Sequence, residues 1–72
     1  MYKVYGHGLY LVGNDDLRAT CATNADAINA ANLLNQARVL NDHKRQYTAA
    51  ARLIAKVESI PNFAWVDNAA GV

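Results

Sequence analysis

TNADAINAANLLNQARVL, residues 23–40, is the stretch that decides how this chain must fold. Thr23 suits a helix N-cap, because its hydroxyl can accept from the backbone amide three residues on, and Asp26 puts negative charge at the positive end of the helix dipole. Wound at helical pitch, Ala27, Ala30, Ala31, Leu33, Leu34, Ala37 and Leu40 fill about half the circumference, and Ile28 and Val39 widen the arc. Asn29, Asn32 and Gln36 make the only clean polar strip, and it carries no charge. A helix this apolar needs cover on more than one side, from a sheet plus a second helix or from another copy of the chain. Its alanines allow close backbone approach, while asparagine is a poor helix former, so tertiary packing must hold it.

Upstream, residues 1–22 read as the sheet. Tyr2-Lys3-Val4-Tyr5 is strand-rich, Gly6-His7-Gly8 interrupts it, and Leu9-Tyr10-Leu11-Val12 resumes the pattern as one bent strand or two short ones. Gly13-Asn14-Asp15-Asp16 is a turn, since glycine and asparagine accept positive φ and aspartate bonds nearby amides. Leu17 to Ala22 returns as a strand, whose alternation sends Leu17, Ala19 and Cys21 toward the helix and Arg18, Thr20 and Ala22 away from it.

The Tyr/Val hairpin, the strand ending in Cys21-Ala22-Thr23 and the helix opening with Asp26, Ala27, Leu34 and Asn35 resemble small accessory proteins of bacteriophages and prophages. The resemblance covers roughly residues 5 to 36. It implies a protein that blocks or redirects a host protein by binding it, and carries no functional residue across.

Downstream, residues 23–59 read as two helices. Asn41-Asp42 is the expected break, with Asp42 capping a second helix from His43 to about Ser59. Tyr47, Ala50, Ala51, Leu53, Ile54 and Val57 make its apolar face, while Arg45, Arg52 and Lys56 stack opposite. The alternative is one continuous helix, because Leu33, Leu40, Tyr47 and Ile54 keep a seven-residue spacing. Residues 60–72 form the third part: Pro61 stops the helix, Phe63-Ala64-Trp65-Val66 docks as a last strand or extends as an arm, and Asp67 to Val72 reads as loose.

Seventy-two residues make one domain, of a size that buries only about 60 % of the unfolded chain's surface, so self-association would add needed burial. The expectation is a homodimer. A lone Cys21, with no long apolar span and no leader in these residues, points to a reducing, cytoplasmic compartment without a membrane contact. A net charge of +1 gives no global attraction to nucleic acid.

Candidate sites divide by chemistry. His7 and His43 each lack a second ligand or a nucleophile nearby in sequence, and adjacent Asp15 and Asp16 diverge and cannot face each other across a substrate. Cys21 points inward by strand parity. No catalytic, metal or cofactor site is expected. The leading partner-binding surface is aromatic: Tyr2, Tyr5, Tyr10, Phe63 and Trp65. The competing one is basic, with Arg38, Lys44, Arg45, Arg52 and Lys56 contacting nucleic acid. The expected fold is α+β, a small antiparallel sheet of two or three strands packed on a helical hairpin with a short aromatic C-terminal segment. The expected function is non-enzymatic: occupation of a host protein's surface, or nucleic-acid binding through the basic stripe.

Overall fold

The computed structural model describes residues 1–13 and 15–66. Asn14 of the expected turn and the tail from 67 to 72 lie outside the described residues. The glycines divide the N-terminal run into two strands, β1 (Tyr2–Tyr5) and β2 (Gly8–Leu11), joined at Gly6 with φ +63°. They pair antiparallel, with Val4 opposite Leu9 and Tyr5 opposite Gly8. β3 (Leu17–Thr20) adds to β2, and the chain then enters α1 (Asn24–Asp42) and α2 (Tyr47–Glu58). The segment after Pro61 returns as β4 (Ala64–Trp65), antiparallel to β3, so the sheet has four strands in the order β1-β2-β3-β4. The fold is α+β.

Val4, Leu9, Ala19 and Trp65 lie in one row across all four strands. That row faces the helices. Leu9, Ala19, Cys21, Ala27, Ala30, Ala31, Leu34 and Val57 form the buried core, against which Tyr2, Val4, Leu33, Ile60, Phe63 and Trp65 pack. Small side chains dominate it, so the helices sit close to the sheet and Leu9 and Val57 are the largest fully buried residues.

α1 begins where its cap predicts, the Thr23 hydroxyl accepting from the Asp26 amide at 3.1 Å. The helices are two, not one, but the break falls later than Asn41-Asp42. Asp42 ends α1 and pairs with Arg38 at 3.8 Å one turn back, so it does not cap α2, whose N-cap Gln46 makes no side-chain bond. The reversal is made instead by Arg45 at φ 52°, after which the Gln46 amide donates to the Leu40 carbonyl at 2.9 Å.

Strand alternation also fails at one residue. Leu9 pairs with Ala19 while Tyr10 pairs with Leu17, which makes Arg18 the extra residue of a β-bulge. Leu17 therefore lies over Gly8 on the face away from the helices, and not with Ala19 and Cys21.

Candidate functional site

Both helices lie on one side of the sheet, and no element among the described residues covers the other. Residue alternation from the buried Leu9 places Lys3, Tyr5, Gly8, Tyr10, Leu17 and Thr20 on that open side. Tyr5 and Tyr10 meet edge to face there, with ring centroids 6.5 Å apart. Gly8 makes this possible. A Cβ at position 8 would stand 2.9 Å from Leu17 Cδ1 and 3.1 Å from Tyr10 Cε1, so the missing side chain leaves the space into which both neighbours settle. Tyr5 remains 80 % exposed, and Val12 beyond the strand end 59 %.

Charge borders the aromatic pair. Lys3 pairs with Asp15, and Arg18 Nη2 lies 4.0 Å from Asp16 Oδ2. Arg18 Nε is buried and has no hydrogen-bond partner among the described residues. The two aspartates thus serve the strand lysine and the bulged arginine.

The five sequence-nominated aromatics do not form one surface. Tyr5 and Tyr10 share the open face. Tyr2 and Trp65 instead line a groove of about 320 Å³ between the sheet and the helical hairpin, with Leu34, Ala50 and Ile54. Phe63 packs on the core with Trp65, their rings edge to face at 5.1 Å, and the indole Nε1 donates to Glu58 Oε2 at 2.8 Å. Part of the apolar face expected for α2 is also turned outward. Ala50 and Val57 are buried, whereas Tyr47 is 60 % exposed at the groove mouth.

The basic residues scatter along the hairpin. Arg38 is engaged with Asp42, Lys44 and Arg45 sit in the turn, and Arg52 and Lys56 are exposed on α2. His7 is exposed beside Gly6, where its carbonyl accepts from the Cys21 amide at 2.9 Å, and His43 is the exposed C-cap of α1. Burial, and secondly the charge of Asp26, push the Cys21 thiol above its ordinary pKa, which suppresses the thiolate a nucleophile needs. Among the described residues no three His, Cys, Asp or Glu side chains gather as a metal site would require, and no helix is long and apolar enough to cross a membrane.

Leu17 and Val12 join the open face without having been expected there, whereas Arg18 lies on the side that strand alternation gave it. The bulge at Arg18 has no signature in the residues around it, and it is the bulge that turns Leu17 over Gly8. No family model matches the chain, and no curated protein and no solved structure matches it significantly.

Proposed function

We propose that this is a non-enzymatic binding protein that occupies a surface of another protein, with the open sheet face around Tyr5 and Tyr10 as its contact. One observation carries this reading: the Tyr5 ring, 80 % exposed, stands edge to face on a half-buried Tyr10, beside Leu17 and bordered by Lys3 and Arg18. Tyrosine and arginine supply much of the energy of protein interfaces, and a rigid aromatic on a strand loses little entropy when it is covered. In the phage-type reading the partner is a host protein in the cytoplasm, blocked or redirected by this contact, and the binder acts as a homodimer.

Capture from bacterial lysate treated with nuclease tests it, using the wild-type chain beside Tyr5→Asp. Tyr5 is exposed enough for the variant to keep the fold. A partner retained by the wild type and lost by Tyr5→Asp is the expected result. Equal retention by both chains removes the open face as the contact.

A second reading is nucleic-acid binding. Lys44, Arg45, Arg52 and Lys56 are exposed and make no ion pair among the described residues, so their charge is available to phosphates. Reversal of Arg45, Arg52 and Lys56 to Glu would then abolish a strongly salt-dependent affinity for DNA or RNA. The near-neutral chain favours the protein-binding reading.

A further inference from the structure

The two edges of the sheet are treated differently. In β1 the amide and carbonyl of Met1, Lys3 and Tyr5 face β2, as the bond from the Val12 amide to the Met1 carbonyl at 2.9 Å fixes, so Tyr2 and Val4 face the outer edge. α1 closes that edge. Asn35 accepts from the Tyr2 amide and donates to the Tyr2 carbonyl, and the Asn24 amide donates to the Gly6 carbonyl, so clamps stand on both sides of Val4. No strand can lie along β1 without displacing them.

β4 carries no such clamp among the described residues. The Val66 amide donates to the Arg18 carbonyl at 2.9 Å, which makes Arg18 and Val66 a hydrogen-bonded pair and Ala19 and Trp65 a non-bonded one. The Trp65 amide and carbonyl therefore point away from β3, out of the sheet. They have no backbone partner among the described residues.

We propose that this edge pairs with β4 of a second copy, antiparallel about a two-fold axis at Trp65, to make one eight-stranded sheet. It deepens the homodimer part of the proposed function and rests on it. The occupant is a second copy because the edge is self-complementary. One amide and one carbonyl on a single residue satisfy each other across a dyad, Trp65 to Trp65, which is the isologous relation of a closed dimer. A strand two residues long offers an unrelated peptide little beyond those two bonds. A second copy also brings α2, whose exposed Tyr47 and Ile54 line the same groove as Trp65. Their cover then comes from the partner's equivalent helix.

The register makes the proposal testable. With Trp65 on the axis, Ala64 of one copy stands opposite Val66 of the other as a non-hydrogen-bonded pair, with Cα atoms about 4.5 Å apart. A disulfide spans about 4.4–6.8 Å between Cα atoms, so it can bridge 64 to 66 but not 64 to 64, which are diagonal. The experiment makes three measurements in a Cys21→Ala background, with each chain first checked for a cooperative melt. Sedimentation of the otherwise unaltered chain should show a dimer. Mild oxidation of mixed Ala64→Cys and Val66→Cys chains should give a cross-linked heterodimer that neither chain gives alone. Ala64→Lys with Val66→Lys, which sets like charges opposite each other, should yield monomer, and mixing with Ala64→Glu/Val66→Glu should restore the dimer. A dimer without the 64–66 cross-link that also survives the lysine pair overturns the β4 interface and leaves the homodimer standing. A monomer at every concentration, with no cross-link, overturns both.

Discussion

Asn35 holds Tyr2 as a neighbouring strand would. Its Oδ1 accepts from the Tyr2 amide at 2.7 Å and its Nδ2 donates to the Tyr2 carbonyl at 3.1 Å, which ties the middle of α1 to the first residue of the sheet. Two partly buried hydrogen bonds contribute about 1 kcal/mol each, so Asn35→Ala should cost about 2 kcal/mol. It should also leave an open strand edge, and scattering should show species larger than those of the wild type through edge association. Denaturant titration and light scattering read the two effects. An unchanged midpoint would show that water replaces the amide without loss.

Gly8→Ala tests the open face. The new Cβ would stand 2.9 Å from Leu17 Cδ1, closer than real contacts come, and 3.1 Å from Tyr10 Cε1; both are side-chain ends on the open face and can give way, so the cost should stay at or below the low end of the range for an overpacked core, about 1–3 kcal/mol. The Tyr5–Tyr10 geometry should change with it, visible as altered aromatic chemical shifts. Gly6→Ala meets no neighbour, and its cost should come from its φ of +63° alone.

Cys21 sets a limit at high pH. Its thiol pKa is raised in the folded chain, so the native state keeps a proton that the unfolded state releases. This stabilisation is fully present below the unfolded thiol pKa of about 8.5 and is lost as pH rises through the folded value. Stability should therefore fall above about pH 8.5 more steeply for the wild type than for Cys21→Ala. Parallel curves would mean that Cys21 titrates alike in both states. The native thiol should also react slowly with alkylating reagents at neutral pH and quickly in denaturant.

Arg45 is the least suited of the left-handed residues. Asp15, Arg45 and Asn62 all have positive φ, but aspartate and asparagine tolerate it and arginine does not. Arg45→Gly should stabilise the helical hairpin by roughly 1 kcal/mol, raising Tm by about 4–8 °C in a domain of this size. No gain would mean that the Arg45 side chain makes a compensating contact. The same variant removes one charge of the basic set, so any loss of nucleic-acid affinity can be measured in a chain that is no less stable.

What was legible in the sequence was local. The Thr23 cap, the buried alanines of α1 and the stop at Pro61 follow from neighbours within a turn or two, and each stands where the residues place it. The helix break moved because Asp42 had a second use, the pair with Arg38, and because a left-handed arginine has no sequence signal. Open-face residues were only half legible. Tyr5 and Tyr10 are visible as strand aromatics, but that they meet depends on Gly8, and the turning of Leu17 depends on a bulge that no nearby residue announces. Asn35 gives no local signal of its tie to Tyr2, because the backbone it binds is 33 residues away. Its neighbours Asn32 and Gln36 were easier to name as polar than it was to see that this asparagine stands in for a strand.

The clamp of Asn24 and Asn35 on β1 sets where growth stops. A sheet with two accessible edges adds copies at both and extends into a fibre. With one edge sealed, each molecule would keep a single valence, and the β4 pairing proposed above would consume both valences of two molecules at once. In such a dimer the asparagines of α1 would act as chain terminators, and a protein that lost them would gain a second valence and the capacity to polymerise.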